Sequence, residues 1–168
     1  MSDPTRGSSN GRLFWTTGVL VIVLDVMTKL LAERYLTPHV PKRVFGDFAR
    51  LTLAYNPGAA FSMHLGPYSR YIFGAFAVVA LVILWRLYRH SPPRDVLRVL
   101  ALGLAWGGAA GNLIDRLRSG YVVDFVDLYW RDWHFWAFNV ADAAITVGVS
   151  LMILDLLQIG RHRVSRAV

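Results

Sequence analysis

The chain has 168 residues, 55% of them hydrophobic and only 17% charged, which excludes both a small water-soluble domain (about 25% charged) and a disordered polar tail and leaves a membrane protein. It contains no cysteine, so disulfides, thiolate nucleophiles and Cys-ligated metal or iron–sulfur sites are excluded. The net charge of +7 reads as loop charge facing anionic lipid and setting topology, with no nucleic-acid partner.

Residues 1–12 are polar and rich in Gly and Ser, and are expected to form a flexible cytoplasmic tail. Leu13–Leu24 is apolar and runs on past Asp25, too long for the core of a signal peptide and without an A-x-A-like cleavage site, so it reads as a spanning helix over 13–33. Further apolar runs predict helices over 69–88, 96–114 and 136–158. Four spans place both termini on one side. Nine Lys/Arg residues (Arg6, Arg12, Arg86, Arg89, Arg94, Arg98, Arg161, Arg163, Arg166) fall on the side of the termini, in short, predominantly basic segments. Eight (Arg34, Lys42, Arg43, Arg50, Arg70, Arg116, Arg118, Arg131) fall on the other. The termini, including a basic tail over 159–168, are therefore expected in the cytoplasm. The two segments expected outside are 34–70, with four prolines and a strand-like Phe48–Tyr55, and 115–135, which ends in the aromatic set Tyr129, Trp130, Trp133, Phe135 and Trp136.

Polar residues inside apolar runs carry the chemical information, because a charge at mid-bilayer costs at least about 2.5 kcal/mol. Asp25 and Lys29 are four apart on one helix face and can pair, either to fix helix packing or to support a site. Gly103, Gly107 and Gly111 recur every four residues and predict a close helix contact. Asn112 and Asp115 follow at the end of that helix, and Arg116 can pair with Asp115 or with an acidic lipid or substrate group. Asp124 lies in an apolar strand-like run. Asp142 is placed about two turns inside the fourth helix, with Asn139 on the same face and no basic residue within a turn. If Asp124 and Asp142 face each other, they cannot both ionise cheaply, so one keeps a proton. The ionised one can activate water and the protonated one can polarise a carbonyl, which is aspartic-protease chemistry. Competing chemistries fit worse: there is no HExxH, no Cys, and all five His fall outside the spans.

Read together, Asp25-Val-Met-Thr-Lys29, Tyr55-Asn-Pro-Gly-Ala-Ala-Phe-Ser62, Gly111-Asn-Leu-Ile-Asp-Arg116, Val122-Val-Asp-Phe125 and Phe138-Asn-Val-Ala-Asp-Ala143 resemble the bacterial lipoprotein signal peptidase (signal peptidase II) family, in order from about Leu13 to Leu157. The resemblance implies an all-α membrane protein: four transmembrane helices with a small extracytoplasmic β-rich cradle over 36–67 and an outer segment over 115–135, forming one peptidase domain over 13–158. It implies a multi-pass enzyme of the bacterial cytoplasmic (inner) membrane that cleaves prolipoproteins before the diacylglyceryl-modified cysteine. Asp124 and Asp142 would be its catalytic dyad. Asn56, Gly58, Asn112, Arg116 and Asn139 would line the site or bind substrate, and Asp25, Lys29 and Asp115 would support the architecture. Membrane lipids and the cyclic peptide globomycin are implied partners, and no cofactor or metal is. Val26 and Pro57 depart from the Gln and Thr frequent in the family at those places. Pro57 lacks an N–H and stiffens its turn.

Two rival readings are weighed. One is a small proton-coupled four-helix transporter using Asp25, against which Lys29 counts by neutralising that acid within one turn. The other is a non-catalytic scaffold built on the glycine face, which leaves Asn139 and Asp142 without a role.

Overall fold

A computed structural model of the chain describes residues 6–58, 66–93, 95–130 and 133–165. Four helices account for most of it: α1 (Arg6–Tyr35), α2 (Ser69–Arg89), α3 (Val96–Arg118) and α4 (Val140–Ser165). All four are long and apolar enough to cross a membrane. Between them lie β1 (Lys42–Phe45), β2 (Ala49–Asn56), β3 (Val122–Trp130) and β4 (Trp133–His134), in one antiparallel sheet of order β1-β2-β3-β4. The cradle expected over 36–67 thus takes half its strands from the 115–135 segment, because the Val/Phe-rich run Val122–Val126 pairs with β2. Residues 59–65, which include the Ala59–Ser62 part of the second motif and His64, lie outside the described residues, as do Arg94, Arg131 and Arg166.

The helix ends move from their expected places for local reasons. α1 begins at Arg6, so residues 6–12, expected as tail, form its first turns. α3 continues one turn past Ile114, carrying Asn112, Asp115 and Arg116 on a regular helix. α4 begins at Val140 and not at 136, and Asp142 therefore lies in its first turn rather than two turns inside. The cause is Asn139: its Oδ1 accepts from Asp142 N–H at 2.9 Å, and Asp142 Oδ2 accepts from Asn139 N–H at 3.4 Å. That reciprocal pair starts a helix, while Phe138 before it is held in an extended bridge to Val126.

α3 is the central helix and packs against α1, α2 and α4. Small residues make this possible. A Cβ on Gly107 would lie 2.7 Å from Gly18 O, and one on Gly103 would lie 3.0 Å from Phe14 O, so α1 and α3 touch backbone to backbone. Toward the end carrying the termini, Phe14 is fully buried with Val99 and Leu102, and stacks on Tyr88 with ring centroids 4.1 Å apart. At the opposite end Ala32, Leu53, Val123 and Phe125 join α1 to the underside of the sheet. α2 is peripheral: Tyr71, Phe76, Val79 and Ile83 are all more than half exposed, as expected of a face that meets lipid.

Candidate active site

The upper face of the sheet and the first turn of α4 enclose a groove of ≈ 1060 Å³. Asn56, Asn112, Arg116, Asp124 and Asp142 line it, with a largely apolar wall that includes Phe135, Trp136, Ile145 and Val147. Asp124 is in mid-strand on β3, opposite Ala54 of β2. Asn56 is its diagonal neighbour on that face and donates from Nδ2 to Asp124 Oδ2 at 3.1 Å. The Asn56 Oδ1 turns back to accept from Gly58 N–H at 3.0 Å, which shapes the turn after β2 around Pro57.

Asn139 joins the two acids. Its Nδ2 donates to Asp124 Oδ1 at 2.7 Å while its Oδ1 caps the turn that carries Asp142. Asn112 donates from Nδ2 to Asp142 Oδ1 at 2.7 Å. Arg116 reaches over the groove, donating to Gly58 O at 2.9 Å and to Asn112 O at 3.0 Å. The seven residues expected in the site (Asn56, Gly58, Asn112, Arg116, Asp124, Asn139 and Asp142) are thus brought together. Of the two partners open to Arg116, Asp115 is not the one observed, and the guanidinium is left facing the groove. Successive helix residues point about 100° apart, so Asp115 turns inward to Lys29, at 2.8 Å, while Arg116 faces the groove.

The two acids have different surroundings. Asp124 is 3% exposed. Burial pushes its carboxyl up to about 7; the nearby Asp142 charge adds to the rise and the Asn56 and Asn139 amides oppose it. Asp142 is half-buried, in the first turn of α4.

Residues 17–158 match the family described as Signal peptidase (SPase) II. The chain belongs to the signal peptidase II family. It is 45% identical over 162 residues to the lipoprotein signal peptidase of Cupriavidus necator, covering 94% of this chain and 91% of that one. It is 46% identical over 144 residues to the lipoprotein signal peptidase of Coxiella burnetii, covering 83% and 86%. A solved structure described as a bacterial membrane enzyme, determined by the in meso method at 2.3 Å resolution, superposes with a TM-score of 0.78 at 30% identity. It covers 85% of this chain and 86% of that one.

As a signal peptidase II the chain is an aspartic-type peptidase and a multi-pass membrane enzyme, and the transporter reading is not favoured. Asp25 is fully buried, and both of its oxygens are engaged, Oδ2 by Lys29 Nζ at 2.7 Å and Oδ1 by Ala141 N–H at 2.9 Å. One partly buried ion pair has no signature in the sequence. Arg50 Nε meets Asp127 Oδ2 at 2.6 Å, and the two residues are register partners across β2 and β3. Their separation of 77 residues hides the pair until the register is known. His39, at φ 61°, also lines the groove, and nothing in its neighbours marks it.

The hydrogen bond from Asn56 makes one prediction. That amide stabilises the ionised form of Asp124, so Asn56→Ala raises the carboxyl pKa and the acid keeps its proton to higher pH. If Asp124 is the acid that protonates a scissile carbonyl, the alkaline limb of the pH–kcat profile, read with a lipidated peptide, moves upward. A limb that moves down or stays in place contradicts that role.

Proposed function

We propose that Asp124 and Asp142 are the catalytic dyad with which this signal peptidase II removes signal peptides from prolipoproteins, cutting before the diacylglyceryl-modified cysteine. The observation that carries the reading is Asn139, which binds Asp124 Oδ1 through its amide and caps the turn of Asp142 within one groove. Ionised Asp142 takes a proton from a water as that water attacks the scissile carbonyl carbon, and neutral Asp124 gives its proton to the carbonyl oxygen. The tetrahedral diol then collapses: the C–N bond breaks, the amine leaves with a proton from Asp142, and Asp124 recovers one from the diol hydroxyl. Asn56, Asn112 and Asn139 hold the carboxylates, and Arg116 with Gly58 borders the bound peptide.

The substrate arrives in the plane of the bilayer. The sheet and the dyad lie at the end of the helices away from the termini, whose side is marked by Asn10 Nδ2 donating to Pro92 O at 3.1 Å in the α2–α3 turn. With both termini in the cytoplasm, the dyad lies at the outer interface, where a lipidated cleavage site would be presented. The apolar wall of Phe135, Trp136, Ile145 and Val147 suits the acyl chains. Membrane lipids surround the exposed apolar helix faces. A cyclic lipopeptide such as globomycin would compete for the same groove.

The test is a gel-shift assay on purified enzyme in lipid, with a diacylglyceryl-modified prolipoprotein beside its unmodified form. Cleavage of the first with kcat/KM at least about tenfold above the second is expected, since the acyl chains contribute binding through buried apolar area. Equal cleavage of both removes the lipid from the recognition.

A further inference from the structure

Lys29 is 2% exposed and far too deep to meet substrate, yet its ammonium has an unusually complete set of partners. It donates to Asp25 Oδ2 at 2.7 Å and Asn112 Oδ1 at 3.0 Å and is ion-paired with Asp115 Oδ2 at 2.8 Å. Asp25 and Asp115 each accept one more bond, from the residue just before an aspartate of the dyad, and Asn112 makes two more, to Asp142 and to Asn139 Nδ2 at 3.3 Å. Asp25 Oδ1 accepts from Ala141 N–H at 2.9 Å, the residue before Asp142. Asp115 Oδ2 accepts from Val123 N–H at 3.2 Å, the residue before Asp124. Asn112, its amide turned by the bond from Lys29, donates to Asp142 Oδ1 at 2.7 Å.

We propose that Lys29 is a positioning residue: through Asp25, Asp115 and Asn112 it clamps the chain just before each aspartate of the dyad and so sets their separation. The inference rests on the dyad reading above. An ion pair that merely joined α1 to α3 would need none of the outer bonds to Ala141, Val123 and Asp142. The clamp also has a built-in asymmetry. At Asp115 a single oxygen, Oδ2, meets both Lys29 and the Val123 N–H, so Asp115→Asn can keep both contacts through its one carbonyl oxygen. At Asp25 the two bonds use different oxygens, so Asp25→Asn must drop one of them.

The experiment compares Asp25→Asn, Asp115→Asn and Lys29→Met with wild type. Thermal unfolding in detergent is read together with kcat and KM on a lipidated prolipoprotein peptide, and Asp124→Asn and Asp142→Asn run alongside. Asp25→Asn and Lys29→Met are expected to unfold cooperatively and to bind substrate with KM within about threefold of wild type. Their kcat is expected to fall by ~100-fold, as a displacement of about 1 Å at a reacting group does. Asp115→Asn is expected to lose far less than Asp25→Asn. Equal losses in the two Asn variants overturn the clamp. So does a folded Asp25→Asn with wild-type kcat, or an Asp25→Asn protein that does not fold, which would reduce the cluster to structural support. If Lys29→Met does not fold, the two Asn variants decide alone. Cleavage surviving in Asp124→Asn or Asp142→Asn breaks the dyad reading instead, a separate result from failure of the clamp.

Discussion

Asp142→Asn and Asp124→Asn are each expected to lower kcat by ~10²–10⁴-fold, because in the proposed dyad each removes one proton-transfer partner of the same reaction. Both changes are close to isosteric and drop one of the two hydrogen bonds that each carboxyl accepts, a cost of about 1–3 kcal/mol that leaves the fold in place. The two variants then differ in a second measurement. Asp124 in the folded protein holds its proton up to about pH 7, against an ordinary carboxyl value of 3.8. Between those values the folded state binds more protons than the unfolded one, so this group makes stability fall as pH rises from about 4 to about 7. Asp124→Asn removes the titrating group, and the melting temperature should lose that part of its pH dependence. Activity follows the same proton: wild-type kcat is expected to decline as pH rises through about 7, where Asp124 gives up the proton meant for the carbonyl. Melting curves of wild type and Asp124→Asn between pH 4 and 8 test the first point. A pH dependence identical in the two proteins contradicts the placement of the proton on Asp124.

Gly108→Ala is the second large effect. A Cβ there would press on Ala141 O and lie 2.8 Å from Ile145 Cγ1, so α3 and α4 would have to separate. Overpacking of this kind costs about 1–3 kcal/mol. For a chain of this length each kcal/mol lowers the melting temperature by roughly 2–4 °C. The loss reaches the chemistry as well, because Ala141 immediately precedes Asp142 and its N–H is held by Asp25. We expect both a lower melting temperature and a lower kcat. Gly74→Ala on α2 is the control: nothing lies within 4 Å of a Cβ at that position, and alanine is the better helix former. A Gly108→Ala enzyme as stable and as fast as Gly74→Ala would mean that the α3–α4 contact is softer than its geometry requires.

What could be read from the chain alone follows from the bilayer. Hydrocarbon tolerates only long apolar helices and penalises every buried charge, so four spans and a short set of exceptional polar residues stand out from composition and spacing. The Asp25–Lys29 pair was legible because i,i+4 residues share a helix face, and the glycine stripe because its period matches a helix. The order of five short motifs carried the family. Tertiary structure decided what depends on distance between segments. Asp124 and Asp142 are 18 positions apart in sequence, and only the capping of α4 by Asn139 and the pairing of β3 with β2 bring them to one groove. The start of α4 was misplaced because Phe138 and Asn139 suit an apolar helix by composition, while their backbone bonds go to Val126 and to the cap. The choice between the two partners open to Arg116 also waits on the fold. Adjacency in sequence favours Asp115, but the helix turns the two side chains apart and delivers Lys29, 86 positions earlier, within 2.8 Å of that acid. Long-range hydrogen bonds of this kind have no local periodicity, so no window of sequence contains them.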